Sequence, residues 1–286
     1  MNNLNLMEIK EQLMVELGVM PTENFDVRQA ITERIDYLKQ YLKSTQRKAI
    51  VLGISGGVDS STAGKLAQQA VNELVAEGYP AKFIAVRLPY GTQKDEDEAQ
   101  QALDFIQPDE IVIVNIKNGV DGIHNAVLNG LYEADMQKED AITSTDFAKG
   151  NVKARMRMIA QYEIAGLYNG LVLGTDHNAE AVNGFYTLHG DGACDFIVLN
   201  GLNKRQVRLC AKELGAPEWL WAKVATADLE DLNAQVPDEV ALGVTYDQVD
   251  NLLEGKTIDS NAEKIILERF DKTQFKRRMP MGFGDF

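Results

Sequence analysis

The stretch SGGVDS, residues 55–60, lies between an apolar run and an amphipathic segment. The run at 49–52 is rich in β-branched residues and too short for a helix, so it predicts a buried strand closed by Gly53. The glycine pair lets the backbone approach a ligand closely, and Asp59 and Ser60 begin a predicted helix. Unpaired amides and the positive end of a helix dipole attract anions, so the turn predicts a phosphate site.

Asp59 is the charged residue beside these predicted phosphates. A P-loop would require Gly, four residues and Gly-Lys-Ser/Thr, but here six residues separate Gly57 from Gly64-Lys65, and Leu66 follows. A carboxylate would repel phosphate unless a cation lay between them, so we interpret Asp59 as a Mg²⁺ ligand. The alternative is a glycine-rich turn whose polar residues only cap the helix.

The elements that must position this turn alternate between apolar strands and amphipathic helices. Further strands are predicted at 82–87, near 110–115 and at 171–174. Helices are predicted on both sides of the first strand and in each crossover, at 6–17, 27–42, 120–136, 147–168, 246–253 and 261–270. The alternation is typical of a doubly wound parallel α/β sheet, in which ligands bind at the carboxyl ends of the strands.

Residues 216–239 lack a regular pattern. A long irregular segment inside a compact domain is usually a lid or a disordered loop, so we expect 218–239 to form a mobile cover of the active site. Trp219 and Trp221, within it, either pack in the core or contact substrate.

Composition limits the function. The chain has 286 residues and a formal net charge of −14 without a block of Lys or Arg, which argues against a nucleic-acid partner. Cys194 and Cys210 are too few for a disulfide framework, although Cys194 could be a nucleophile. Because the sequence shows no signal peptide or long apolar span, we expect a cytoplasmic protein without a membrane partner. We expect one domain over 1–286, with N-terminal helices at 1–45, a nucleotide-binding core at 46–200, and a lid and C-terminal helices at 201–286.

The loop resembles that of the ATP pyrophosphatases, which cleave ATP between its α and β phosphates. Later motifs follow the order and spacing of the bacterial ammonia-dependent NAD synthetases over residues 13–280: RLPYGTQKDEDEAQ, GNVKARMRM, VLGTDHNAEAVNGF, GDGACD, GLNKRQVR, TADL, DEVALGVTYDQVDNLLEGK and KRRMP. The resemblance implies an adenine nucleotide alpha hydrolase-like fold and a two-step ligase. In that reaction the nicotinate carboxylate of deamido-NAD attacks the α-phosphate of ATP, releasing pyrophosphate, and ammonia then displaces AMP.

The resemblance also assigns the ATP side of the site. Asp59 and Glu180 would hold Mg²⁺, and Lys204 would stabilise charge on the α-phosphate. The residues it implies for ATP binding are Gly53, Ile54, Ser55, Gly56, Gly57, Val58, Asp59, Ser60, Arg87, Gln93, Thr175, Lys204 and Thr226.

For deamido-NAD the resemblance implies five positions: Arg155, Leu188, Asp195, Phe275 and Lys276. Asp195 would lie beside the nicotinate carboxylate and help deliver ammonia as a base. Leu188 and Phe275 depart from the family, which usually has lysine and histidine there. We therefore expect unchanged ATP chemistry and an altered dinucleotide subsite, with either weaker deamido-NAD binding than in relatives that carry both residues or compensation from neighbours such as His189 and Lys276. His124 is interpreted as structural, and His177 as a loop residue near the site.

The implied partners are ATP, deamido-NAD and ammonia, with Mg²⁺ as cofactor. The family forms a homodimer through the helices that follow Asn115. No glutaminase segment is recognised, so free ammonia is the predicted donor. The alternatives are another ATP-pyrophosphatase ligase acting on a different carboxylate, and a nucleotide-binding module without catalysis.

Overall fold

A parallel five-stranded sheet forms the centre of the computed structural model, which describes residues 5–91, 96–136, 144–227, 236–278 and 282. Its strands have the order β3-β2-β1-β4-β5. They are β1 (Ala49–Gly53), β2 (Lys82–Arg87), β3 (Glu110–Ile113), β4 (Gly170–Gly174) and β5 (Phe196–Ile197). A separate antiparallel pair consists of β6 (Thr226–Ala227) and β7 (Val236–Pro237).

Helices connect and flank these strands. Those before and between the main strands are α1 (Leu6–Leu17), α2 (Val27–Thr45), α3 (Val58–Ala76), α4 (Glu96–Ile106), α5 (Lys117–Glu133) and α6 (Thr145–Leu167), with a 3₁₀ turn at Thr22–Asn24. Those after β4 are α7 (Asn178–Ala181), α8 (Lys204–Glu213), α9 (Glu218–Trp221), α10 (Asp238–Leu242), α11 (Tyr246–Leu253), α12 (Ser260–Lys272) and α13 (Gln274–Arg277). No helix in the described ranges has the length and apolar character needed to cross a membrane.

The apolar run of β1 lacks alternation because helices cover both faces of the sheet. Ile50 and Leu52 pack on one face with residues of α2, α3 and α8. Ala49 and Val51 point to the other face, where α5 and α6 supply Val120 and Ile164, among others. The predicted doubly wound α/β fold is therefore confirmed.

The strand order reverses between β1 and β4, which places a ligand crevice at their carboxyl ends. The pairing of these strands extends only from Ala49 with Gly170 to Val51 with Val172. Beyond it, the Gly53 N–H donates to Gln161 Oε1 of α6 at 2.7 Å instead of to a strand. The residues that follow β1 and β4 therefore border the same opening.

A second apolar cluster joins the two ends of the chain. It contains Leu13 of α1, Val182 after α7, Val249 of α11 and Ile266 of α12. α2 instead packs on the sheet, through Leu38 and its neighbours. The predicted N- and C-terminal helical additions are present, while the division at residues 45 and 200 stays a prediction.

The segment predicted as a mobile cover is partly regular. α9 lies at its beginning, with Leu220 fully buried and Trp219 and Trp221 packed against the main core. Burial of Leu220 packs this turn against the main core, and the mobility of 218–239 stays a prediction. Residues 228–235 lie outside the described part of the chain.

Candidate functional site

The turn between β1 and α3 has the geometry expected of an anion site. Gly57 is the N-cap of α3, and no side chain among the described residues caps that helix. Gly56 has φ +83°, and a Cβ there would lie 3.2 Å from the Ala99 Cα. Ser55 Oγ and Ser60 Oγ lie 3.0 Å apart across the turn. The first amides of α3 are thus left for a ligand at the positive end of the helix dipole.

Three sequence-predicted residues meet at this turn, although they come from separate parts of the chain. Asp59 lies in the first turn of α3, Glu180 lies in α7 just beyond β4, and Lys204 begins α8. Lys204 Nζ lies 2.7 Å from Asp59 Oδ2 and 3.7 Å from Glu180 Oε1. The structure therefore brings the predicted phosphate lysine and both predicted metal ligands into one cluster.

Burial and charge oppose each other in this cluster. Burial raises the pKa of Asp59, but Lys204 and His177 outweigh it and hold that pKa well below its usual range. Burial also raises the pKa of Glu180, against the attraction of His177 and Lys204. Burial lowers the pKa of Lys204, but the charges of Asp59 and Glu180 outweigh burial, so the pKa is raised overall. Asp59 and Lys204 are therefore an ion pair at neutral pH.

Local contacts fix the position of Lys204. Asn203 caps α8 in a reciprocal capping box with Gln206. The backbone N–H of Lys204 donates to Asp250 of α11 at 3.1 Å, and the Lys204 ammonium lies 4.9 Å from the centre of the Tyr246 ring. These contacts direct a fully buried lysine side chain into the crevice.

The residues present fit a divalent cation. Asp59, His177 and Glu180 each offer one ligand atom, and these atoms lie within 4.8 Å of one another. Asp59 Oδ1 is buried and has no hydrogen-bond partner within the described ranges. A buried carboxylate oxygen without a partner is costly, and a cation would satisfy it.

Two residues at this site were missed or undervalued in the sequence. His177 is fully buried at the centre of the cluster, although its spacing to the other histidines gave no ligand motif. Asp176, beside it, has a raised pKa because of burial and the charges of Asp191 and Asp59. Their position just beyond the carboxyl end of β4 was the available signal.

The other residues predicted to bind ATP do not belong to the cluster of Asp59, Glu180 and Lys204. Arg87, at the end of β2, is buried and pairs with Glu96 at 3.3 Å. Thr175 follows β4 directly and is half-buried. Thr226 lies in β6, but its side chain is outside the described part of the structure, as is all of Gln93.

Of the predicted dinucleotide residues, two contact each other and two lie on α13. The Arg155 guanidinium donates to the Leu188 carbonyl oxygen through Nε and Nη2, both at 3.3 Å. Lys276 Nζ donates to the carbonyl oxygens of Gly184 and Tyr186 at 2.7 and 2.6 Å. Phe275 is exposed, with 51% of its surface accessible.

Asp195 lies beside the middle of β4, whereas Glu180 follows the end of that strand. Asp195 Oδ2 accepts a hydrogen bond from the Val172 N–H at 2.8 Å, and the Asp195 N–H donates to the Val172 carbonyl oxygen. One oxygen of the Asp195 carboxylate is therefore occupied by a hydrogen bond to the backbone of β4. Its role as a base for ammonia stays a prediction.

Cys194 packs against the end of β4. A Cβ on Gly174 would lie 2.5 Å from the Cys194 sulfur, so this contact requires glycine. Burial, with Asp176 and Asp195 nearby, raises the pKa of the thiol to about 12. This shift disfavours the thiolate, which is the reactive form, and so argues against the alternative of Cys194 as a nucleophile.

Comparison with known proteins adds to this geometry. The profile of the NAD synthase family matches residues 30–280. The NH(3)-dependent NAD(+) synthetase of Psychromonas ingrahamii is 54% identical over 272 residues, covering 94% of this chain and 98% of the relative. The crystal structure of NAD+ synthetase from Burkholderia pseudomallei has a TM-score of 0.79 at 46% identity, covering 96% of this chain and 98% of that one. The NMN synthetase of Francisella tularensis has a TM-score of 0.76 at 26% identity, covering 91% and 99%.

Proposed function

The chain belongs to the NAD synthase family, and on this basis we propose that it amidates the nicotinate carboxylate of deamido-NAD with ammonia. ATP is the co-substrate, and AMP and pyrophosphate are the products besides NAD. The observation that carries the proposal is the cluster of Asp59, Glu180 and Lys204 at the first turn of α3, a helix that no side chain of the described residues caps. A protein that only bound nucleotide would not need all three.

In the first step the substrate carboxylate attacks the α-phosphorus and pyrophosphate leaves. The amides at the start of α3 and the hydroxyls of Ser55 and Ser60 bind the leaving pyrophosphate. A divalent cation, Mg²⁺ in this proposal, would be held by Asp59 and Glu180 and would neutralise phosphate charge. Lys204 donates to the α-phosphate oxygens, where negative charge develops in the transition state.

In the second step ammonia attacks the acyl-adenylate and AMP leaves. An ammonium ion must lose a proton before it can act as a nucleophile, so a carboxylate near the nicotinate is needed. Asp195 is the proposed base. Arg155 and Leu188, which contact each other, are proposed to border the dinucleotide, with Phe275 and Lys276 on its other side.

We also propose a homodimer formed through α5 and α6. Ile123, Val127 and Leu131 are exposed at successive turns of α5, and Phe147 and Ile159 are exposed on α6. Exposed apolar side chains that recur every four residues along a helix are typical of a protein interface. Val127→Glu should convert the dimer to a monomer in light scattering, and a variant that stays dimeric would refute this interface. The cytoplasmic location stays a prediction.

The activity is tested by incubating the protein with ATP, Mg²⁺, ammonium and deamido-NAD. NAD, AMP and pyrophosphate should appear in equal amounts. Nicotinate mononucleotide in place of deamido-NAD tests the different-carboxylate alternative, because its amidation would give NMN. Formation of NMN alone, or of no AMP with either substrate, would refute the proposal.

A further inference from the structure

His177 lies between the two carboxylates of the site. Its Nε2 is 3.5 Å from Asp59 Oδ1 and 3.4 Å from Glu180 Oε1, and its side chain is fully buried. It immediately precedes α7, three residues before Glu180. The backbone after β4 therefore directs an imidazole nitrogen and a carboxylate toward Asp59.

The neighbouring lysine faces the same ring nitrogen as the two carboxylates. Lys204 Nζ lies 3.3 Å from His177 Nε2, and an ammonium group can only donate hydrogen bonds. Nε2 faces the ammonium and both carboxylates, so it accepts from Lys204 in one tautomer and donates to Asp59 or Glu180 in the other. The ring is held by its edge contact with Tyr246, with centroids 6.3 Å apart. A cation that replaced the ammonium would meet Nε2 together with the two carboxylates, and the neutral imidazole is the form in which histidine binds metals.

The lysine also fills the space that a cation would use. Its ammonium lies within 3.7 Å of an atom from each of Asp59, His177 and Glu180. The same three side chains therefore surround a positive charge in this structure. A lysine that turns toward phosphate would leave them facing each other, with the buried Asp59 Oδ1 still without a partner among the described residues.

We propose that His177 Nε2 is a third ligand of the divalent cation held by Asp59 and Glu180, and that Lys204 occupies this place until the cation binds. The inference rests on the proposed function for the cation itself. Imidazole favours transition metals, whereas Mg²⁺ prefers oxygen ligands. The site should therefore bind Mn²⁺ or Co²⁺ more tightly than Mg²⁺.

The test uses Mn²⁺ and the full chain without nucleotide. Pulsed electron paramagnetic resonance detects the coupling of Mn²⁺ to a bound imidazole nitrogen. The coupling should be present in the wild type and in the matched control His189→Gln, whose histidine is exposed, and absent in His177→Gln. His177→Gln should also weaken Mn²⁺ binding at least ~10-fold, with a smaller loss for Mg²⁺. Lys204→Met should tighten Mn²⁺ binding because the competing ammonium is removed.

Bound Mn²⁺ without nitrogen coupling in the wild type would overturn the His177 ligand alone. No Mn²⁺ binding, in either the wild type or Lys204→Met, would overturn it together with the cation of the proposed function. Even if His177→Gln fails to fold, the wild-type spectrum alone shows whether an imidazole nitrogen binds the Mn²⁺.

Discussion

Replacing Lys204 with methionine removes the positive charge at the centre of the site. Only 1% of the Lys204 side chain is accessible, and its ammonium lies 2.7 Å from Asp59. Removing one partner of a buried ion pair costs about 3–5 kcal/mol, because the other charge stays buried. Asp59 and Glu180 keep 20% and 16% of their side chains accessible. Water and protonation therefore reduce the cost, and we expect a loss of about 3 kcal/mol.

A divalent cation should restore most of this stability, because it supplies the missing charge to the same carboxylates. A ligand that binds only the folded state at 100 times its Kd stabilises it by about 2.7 kcal/mol. The assay is urea unfolding of Lys204→Met with and without Mg²⁺, giving the free energy of unfolding in each condition. Turnover should also fall at least ~10²-fold, the usual loss for one transition-state donor.

Lys65→Met is the matched control. Lys65 is a partly buried lysine of α3 that donates to the Phe105 carbonyl oxygen at 2.8 Å. Its replacement should cost about 1 kcal/mol and show no dependence on Mg²⁺. The reasoning is refuted if Lys204→Met is as stable as the wild type, or if Mg²⁺ stabilises both variants equally.

Three further predictions concern the metal ligands, the dinucleotide subsite and the buried carboxylate of Glu254. Asp59→Asn and Glu180→Gln should each abolish AMP release without unfolding the protein, as measured by product analysis and circular dichroism. Leu188→Lys combined with Phe275→His should tighten deamido-NAD binding in calorimetric titrations without changing that of ATP, because it restores a cation at the proposed subsite. Glu254→Gln should lower the free energy of unfolding by about 3 kcal/mol, measured in urea at pH 7.

The prediction for Glu254 has a defined pH dependence. Burial raises the pKa of this carboxyl group, but hydrogen bonds from Lys256, Thr22 and Asn203 outweigh it and lower the pKa to about 2. Since the folded pKa lies below the unfolded one, its stabilisation is complete above pH 4.5 and is lost as the pH falls toward 2. Glu254→Gln should remove this part of the pH dependence.

For each of these three predictions, a specific result would contradict it. AMP release at near wild-type rate from folded Asp59→Asn would remove Asp59 from the metal site. Unchanged deamido-NAD affinity in the Leu188 and Phe275 double variant would mean that neither position contacts the substrate. If Glu254→Gln is as stable as the wild type, the hydrogen bonds that Glu254 accepts do not outweigh the free energy cost of burying its carboxylate.

The main sheet could be predicted from the sequence because its strands are short apolar runs bounded by glycine or polar residues. The predicted strand at 82–87 and helix at 6–17 agree with β2 and α1 to the residue. β5 was not predicted, although it begins the apolar run at 196–199; it has only two residues, which pair with Leu173 and Gly174 of β4. The run extends beyond the strand to Val198 and Leu199, so the pairing with β4 sets where the strand ends.

The candidate site was predictable where residues lie in a motif or at a strand end, as with Asp59 and Glu180. The burial of His177 could not be predicted, because it follows from how α7 and α11 enclose the crevice. The packing of Leu220 is similar, since a single apolar residue in an irregular stretch gives no periodicity. Lys204 itself resembles a surface lysine until α8 is placed beside α3.

The central claim is that this crevice cleaves ATP between its α and β phosphates to activate the carboxylate of deamido-NAD. The most direct measurement is deamido-NAD-dependent exchange of labelled pyrophosphate into ATP, in the presence of Mg²⁺ and without ammonia. Exchange should require deamido-NAD, disappear in Asp59→Asn, and fall when ammonium is added, because the acyl-adenylate is then consumed. Exchange that is absent with the wild type, or unaffected by Asp59→Asn, would contradict the account.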